Sequence, residues 1–271
     1  MCNQCVIENV KASMMSRRNM FRNMAATGAA AIAASAFSAR ETLAQSSGKV
    51  IDLTHAYDEN FPTYDGKPGI TKEKVVDFKK DGYTIYKLTI FEHTGTHIDA
   101  PLHFTESSTS VADLAPESLI CPLCIVDIKA KAKDDANAMV TKADLDAWVS
   151  ANGEIPKGAC VAMNSGWAAR VGKPEYRNTP DNAFAFPGFA KDATDMLHEI
   201  GAAAIGVDTL SLDPGNSKDF AVHYSWLPAG HYGIENLNNL DALPVKGATL
   251  FVGAPKHAGG TGGPARVLAT V

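Results

Sequence analysis

The chain has little sulfur: five cysteines in 271 residues, two of which, Cys2 and Cys5, fall in an N-terminal segment that does not read as part of the fold. Three thiols remain, Cys121, Cys124 and Cys160, and whether Cys121 and Cys124 pair is left open by the sequence. The pair in "CPLC" at 121 to 124 invites a redox reading, but "LCIVDI" runs directly into strand-like sequence, where a thioredoxin-type pair would open a helix. Cys121 and Cys124 therefore read as small apolar groups packed in a core. Basic runs interleaved with aromatic residues are also missing, and acidic residues outnumber basic ones by 30 to 25. Nucleic acid and anionic membrane are poor partners for such a chain. There is no G-x-S-x-G elbow either, and Ser165 in "NSGW" has no base assigned by sequence, which argues against serine chemistry.

No apolar run reaches the roughly 20 residues of a membrane span. "SRRNMFR" at 16 to 22 is instead followed by the short, Ala-rich run "MAATGAAAIAASAFSA", an order that resembles a twin-arginine export signal with Arg17 and Arg18 as the paired arginines. Residues 1–45 are thus expected to be a leader, cleaved between Ala36 and Gln45, and the product to be periplasmic with no stable membrane association. Loss of residues 1–44 removes five basic residues (Lys11, Arg17, Arg18, Arg22, Arg40) and two acidic ones (Glu8, Glu41), leaving 20 basic and 28 acidic residues and a net charge of −8. Residues 46–271 suffice for one domain with a substantial core, and no repeat, linker or low-complexity tract interrupts them after residue 48.

What the chain does have is a concentration of metal-binding side chains. "HTGTHIDAPLHF", residues 93–104, holds three of the chain's eight histidines and a carboxylate, so a shared site outweighs independent roles. Read as extended chain, His93, Gly95, His97, Asp99, Pro101 and His103 share one face, and the mostly apolar Thr94, Thr96, Ile98, Ala100, Leu102 and Phe104 share the other. A fully extended run from His93 to His103 would cover roughly 33 Å, whereas an ion reaches ligands only about 2 Å away. The chain must bend, and Gly95 and Pro101 permit it. His97 and Asp99 can converge on one ion without a bend, and His93 can join them through a kink at Gly95. His103, beyond Pro101, is left free to move protons.

Around this motif, segments alternate in period. "KVIDLTH" (49–55) and "YTIYKLTIFEHTGTH" (83–97) read as strands; "TKADLDAWVSANG" (141–153) reads as a helix capped by Thr141 and stopped by Gly153. "GACVAMNSG", "AAAIGVDT", "ATLFVGAP" and "RVLATV" read as further strands, and "AKDATDMLHEIG" (190–201) as a second helix. Helix followed by buried strand, repeated, predicts an α/β fold: a single domain with a mixed or barrel-like β-sheet flanked by helices. A second cluster of donors lies downstream. His223, His231 and Glu235 occur in "FAVHYSWLPAGHYGIENL", shortly after Asp208 and Asp213, and their types alone leave open which of them joins a site. Asp213 could simply start the turn at Pro214 and Gly215. "GGTGGPAR" leads toward a strand rather than a helix, so it reads as a loop lining the site and not as a phosphate cradle.

The pattern H-x-G-T-H-x-D-x-P-x-H-F resembles the signature of the metal-dependent cyclase family, which includes bacterial kynurenine formamidases and isatin hydrolases. "IDLTH", "NSGW", "FPGFAKDATDMLHEIGAAAIGVDTLSLDPG", the His223 and Glu235 pair and the ending "GGTGGPARVLA" extend the likeness over nearly all of residues 46–271. The resemblance implies that His93, His97 and Asp99 hold a metal, with Asp99 able to bridge to a second ion bound by His223 and Glu235. It matches His103 to the family's proton donor and acceptor. The formamidases carry a tryptophan in a segment like P-x-W-P-G that contacts the aromatic substrate; here "PTYDG" puts Tyr64 at that place, with Phe61 as an assisting ring.

The expected cofactor is one or two divalent ions, zinc or manganese, since imidazole and carboxylate donors suit both. The expected reaction is hydrolysis of an amide C–N bond in a small aromatic or cyclic substrate, formylkynurenine-like or isatin-like, by metal-activated water with His103 as general acid and base. Two alternatives are a cyclase or dehydratase acting on a polyketide-like substrate, and a periplasmic protein that uses its metal to bind a ligand without turning it over. The family likeness also implies a homodimer or homotetramer.

Overall fold

Hydrophobic alternation divides the strands between two cores. In the computed structural model, which describes residues 48–177 and 183–271, Cys121, Leu123 and Ile125 of one strand face one apolar cluster while Cys124 and Val126 face another. The leader expected at 1–45 lies outside the described residues. In chain order the elements are β1 (Val50–Asp52), β2 (Ile70–Val76), α1 (Phe78–Asp81), β3 (Ile85–Ile90), β4 (His97–Asp99) and β5 (Ile120–Asp127). There follow α2 (Lys129–Asp134), β6 (Met139–Val140), α3 (Lys142–Asn152), β7 (Cys160–Asn164), β8 (Gly188–Phe189), α4 (Lys191–Ile200) and β9 (Ala204–Val207). The chain closes with α5 (Ala221–Trp226), β10 (Tyr232–Glu235), β11 (Lys246–Gly253), β12 (Gly262–Pro264) and β13 (Arg266–Thr270).

Among the described residues, nine strands form one mixed sheet in the order β1-β13-β11-β5-β7-β9-β10-β4-β12. The four central strands, β5, β7, β9 and β10, are parallel, and antiparallel strands flank them on both sides. Leu145 and Trp148 of α3, Ala193 and Leu197 of α4, and Val222 and Trp226 of α5 cover one face, against Val126, Val161, Met163, Ile205 and Val207. Ile51, Ile98, Leu123, Ala162, Ile234, Leu250 and Val267 fill the other. This is the α/β single domain with a mixed sheet that the alternation of helix and strand patterns predicts. None of the helices among the described residues is long and apolar enough to cross a membrane.

Both expected helices form where their caps place them. Thr141 accepts from the Asp144 N–H while Asp144 reaches back to the Thr141 N–H, a reciprocal cap that starts α3, and Gly201 ends α4 in the left-handed conformation with φ 79°. Strand 83–97 does not form as one piece. It breaks after Ile90, because Gly95 takes φ 65° and its Cα lies where an added Cβ would be 2.9 Å from the Tyr57 ring. Only His97–Asp99 resumes as strand, and Pro101–Phe104 turns into a short 3₁₀ helix. The chain thus bends at both residues that permit it. Cys121, Cys124 and Cys160 are buried and free, and burial raises each thiol pKa. Being three apart on a strand, Cys121 and Cys124 point to opposite faces.

Candidate metal centre

The alternation of β4 sends Ile98 into one core and His97 and Asp99 to the face that carries the helices. β10 pairs with β4 antiparallel, opposing Glu235 to His97 and Gly233 to Asp99, while β12 on the other side opposes Gly262 to Asp99. Asp99 is therefore flanked by glycine on both neighbouring strands, which leaves space around its carboxylate. Above this patch α5 brings His223, and the 3₁₀ turn at Pro101–Phe104 folds His103 back over it.

Donor atoms converge here. His97 Nε2 lies 3.3 Å from Asp99 Oδ1 and 3.3 Å from Glu235 Oε2. His223 Nε2 lies 3.4 Å from Glu235 Oε1 and 3.7 Å from Asp99 Oδ2, and His93 Nδ1 lies 2.7 Å from Asp99 Oδ1. Two ligands held about 2.1 Å from one ion at a tetrahedral angle would be about 3.4 Å apart. The donors group as His97, Asp99 and Glu235 on one side and His93, Asp99 and His103 on the other, with Asp99 common to both. Chain reach places His103 apart from the ligands; the 3₁₀ turn instead brings it among them, its ring stacked on His93 at 3.8 Å.

Two of the histidines are oriented by acceptor-only groups. His97 Nδ1 donates to the Gly95 carbonyl at 2.9 Å, so its Nε2 carries the lone pair that faces the carboxylates. His223 Nδ1 donates to Asp213 Oδ2 at 2.6 Å, and the same carboxylate accepts from the backbone N–H of Val222 (2.8 Å) and His223 (3.1 Å). Asp213 thus orients a donor and holds the start of α5, which its place before a turn does not reveal. His97 Nε2 and Asp99 Oδ2 are buried and have no hydrogen-bond partner among the described residues.

These features fit a divalent cation. Asp99, Asp213 and Glu235 are all buried within one small volume, where uncompensated carboxylates are costly. Burial opposes charge on His97, yet the Asp99 and Glu235 carboxylates overcome it and bring that imidazolium up to about 10. Burial also opposes charge on Asp99, and its neighbours His223, His93 and His97 hold it well below the usual carboxylate range. The site draws positive charge to itself, here as protons on His97 and His223, and a cation would supply it in their place. His103 behaves otherwise: burial pushes it down to about 4, against the pull of Asp99, so it is a neutral imidazole at physiological pH.

A cavity of about 280 Å³ opens over these groups and is lined by His93, His97, His103, His223 and Glu235 on its floor. Its walls include Tyr64, Phe104, Phe220 and Leu210. Tyr64 packs on Phe184 at 4.8 Å and Phe220 at 6.0 Å, and its carbonyl accepts from the Arg177 guanidinium at 2.8 Å. Phe61 takes no place in these walls; it is buried against His55 at 5.8 Å. Phe104 and Phe220 add rings that the sequence reading assigned elsewhere or not at all. His231 stands apart, hydrogen-bonded to His198 and stacked on Trp226, and Asp208 is tied to Ser165 and Trp167.

A mixed sheet with a buried histidine and carboxylate centre under an aromatic-walled cavity defines a metalloprotein of α/β architecture. The profile described as "Putative cyclase" matches residues 51–214, and the chain belongs to that cyclase family. Isatin hydrolase of Roseibium aggregatum is 28% identical over 243 residues, covering 82% of this chain and 92% of that protein. Kynurenine formamidase of Bacillus cereus is 27% identical over 188 residues, covering 69% and 81%. The solved structure of isatin hydrolase A from Ralstonia solanacearum superposes with a TM-score of 0.78 at 31% identity, covering 84% of this chain and 94% of that one.

Proposed function

We propose that this chain is a metal-dependent hydrolase that cleaves an amide C–N bond in a small aromatic or cyclic substrate of the isatin or formylkynurenine kind. The observation that carries this reading is His103 stacked on His93 at 3.8 Å, beside buried donors that lack partners of their own. His93, His97, Asp99, His223 and Glu235 would hold the ion or ions, zinc or manganese, and the two oxygens of Asp99 face different donors, which supports a bridging role. The chemistry an ion supplies there when bound is a water acidified to a pKa of about 7 and a polarised carbonyl.

The chain's own residues do the rest. Tyr64, Phe104 and Phe220 offer ring faces to a planar substrate and keep bulk water from the cavity. His103 accepts the proton lost by the attacking water and returns it to the departing nitrogen. A protein that only bound its ligand would need no free imidazole at this place. The test is spectrophotometric hydrolysis of isatin and of formylkynurenine by zinc-loaded and manganese-loaded protein. Turnover abolished by chelation supports the reading; a metal-loaded protein inert toward both, or a product closed into a ring with loss of water, overturns it.

The same proposal includes export and self-association. Arg17 and Arg18 ahead of a short apolar run support passage through the twin-arginine route to the periplasm, and Arg17→Lys with Arg18→Lys is expected to leave the protein in the cytoplasmic fraction. The β2–β3 hairpin supports a homodimer or homotetramer. An isolated two-stranded hairpin is marginal in water, yet Tyr86, Leu88 and Ile90 along β3 are exposed, Leu88 at 49%. Its Lys72, Lys74, Lys79, Lys80 and Lys87 outnumber Glu73, Asp77 and Asp81, whereas the rest of the domain is acidic, so the arm is complementary to the body of a second copy. Light scattering should find an oligomer that Leu88→Lys dissociates; a native monomer rules this out.

A further inference from the structure

The glycine-rich segment ending in β12 takes no part in the chemistry proposed above, yet it touches a metal donor. Thr261 is held on both sides of its backbone: its N–H lies 3.2 Å from each Glu92 oxygen, and its carbonyl accepts from the Ala100 N–H at 2.8 Å. The Thr261 hydroxyl donates to Glu92 Oε2 at 2.5 Å and lies 3.0 Å from His93 Nε2. His257 Nε2 gives Glu92 a further donor at 2.5 Å. Gly262 makes this approach possible, because a Cβ there would stand 2.3 Å from the Ile98 carbonyl oxygen and 2.7 Å from His93 Cε1.

With a cation bound at His93, the proton count has one solution. An ionised carboxylate only accepts, so the single hydroxyl proton of Thr261 is committed to Glu92. What the hydroxyl offers His93 is a lone pair, and His93 Nε2 must carry the proton that fills it. A metal-bound imidazole has one N–H, so Nδ1 would be left to the ion, beside Asp99 Oδ1 at 2.7 Å.

We propose that Glu92 and Thr261 form a positioning relay that fixes His93 as an Nδ1 ligand, opposite in tautomer to His97 and His223, which present Nε2. This rests on the metal-centre reading. It differs from the arrangement at the other two histidines, each oriented by a single acceptor. The relay also explains why a strand bare of side chains at Gly262 and Gly263 runs beside β4: only such a strand carries Thr261 to the ring edge.

The relay predicts a tautomer, which can be read without turnover. Protein labelled with ¹⁵N in its histidines and loaded with zinc is examined by long-range ¹H–¹⁵N correlation, the His93 signals being assigned by their loss in His93→Gln. The expected pattern is a protonated Nε2 and a zinc-bound Nδ1 on His93. Competition with a chromophoric chelator should then find zinc binding about 10- to 100-fold weaker in Thr261→Val, as loss of an outer partner typically costs, and within about threefold of native in Thr261→Ser. Should Thr261→Val fail to fold, Glu92→Gln serves, since its amide can donate to the Thr261 oxygen and release the hydroxyl proton toward His93; it is expected to weaken zinc binding too. A zinc-bound Nε2 on His93, or native zinc affinity in a folded Thr261→Val or Glu92→Gln protein, overturns the relay alone. A native chain that binds neither zinc nor manganese overturns the metal centre and the relay together.

Discussion

Glu235 and His97 stand directly opposite one another on β10 and β4, their functional atoms 3.3 Å apart and both side chains buried. A carboxylate and an imidazole locked across two strands cannot separate when an ion leaves, so the site is held open by the sheet itself. Replacing Glu235 by Gln keeps the shape and removes the charge. Metal analysis after dialysis should show that variant depleted, with affinity falling by more than the roughly 10- to 100-fold that outer partners contribute. Retention of native metal content would remove Glu235 from the ligand set.

His103→Ala should separate binding from chemistry. It is expected to keep native metal content and to lose about 10²- to 10⁴-fold in kcat, the usual contribution of a general acid and base. Because burial brings His103 to about 4, it is neutral at pH 7 and becomes protonated only as pH falls through that region. The acid limb of kcat/KM should therefore lie near pH 4 and not near 6.5, and a cation in the site moves it further the same way. Full activity in His103→Ala would end the assignment.

The Tyr64 carbonyl accepts from Arg177 and its ring packs on Phe184, which places the ring in the cavity wall. An aromatic contact of this kind contributes about 0.5–1.5 kcal/mol, which converts to a rise in KM of roughly 2- to 13-fold for Tyr64→Ala. Tyr64→Phe should be close to native, because the stacking face remains. If Phe raises KM as far as Ala does, the hydroxyl and not the ring is what the substrate meets.

Removing the ion tests the electrostatic account of the site. A metal that binds only the folded state adds RT ln(1 + [L]/Kd), about 2.7 kcal/mol at a hundredfold excess over Kd, and chelation should lower Tm by the corresponding several degrees. Calorimetry with and without chelator measures it. An unchanged Tm would mean that the buried carboxylates are compensated in some other way.

Thr141→Ala should cost about 1 kcal/mol by removing the cap of α3. Asp144, its reciprocal partner, is opposed by burial but held below the usual carboxylate pKa by Lys131 and Thr141. A depressed carboxylate adds stability above its unfolded pKa of 3.8 and loses it as pH falls through the lower folded value. The mutational cost should shrink in that acid range and stay constant from pH 5 upward. The group is partly exposed, so the effect is screened and small.

How much of this was legible depended on where the information lay. Thr141, Gly153 and Gly201 announce helix ends because capping is local chemistry, and both helices appear where those residues stand. The bends at Gly95 and Pro101 follow from reach alone, but where strand resumes does not: β4 needs β10 and β12 as partners, and the stretch before it lies against Tyr57. His223 and Glu235 came from a family likeness, since nothing local separates His223 from His231. Asp213, Phe220, Asn236 and Thr261 were out of reach because each acts from a loop or strand end that tertiary pairing sets. Asn236, for instance, joins the cavity wall only because its amide clasps the Gly95 carbonyl at 2.8 Å. Phe61 lies near the right place in sequence, but its ring is buried against His55 and is not among the cavity walls.

β1 has one sheet neighbour, β13, which is also the last strand of the chain. A growing polypeptide therefore cannot seat β1 until β13 has been made, and β4 waits for β10 before Glu235 can face His97. Pairings so distant along the chain are slow to find one another. Until those strands pair, His93 and His97 have neither Glu235 nor His223 beside them. A cation that needs all five donors at once must therefore wait until β4, β10 and α5 have come together.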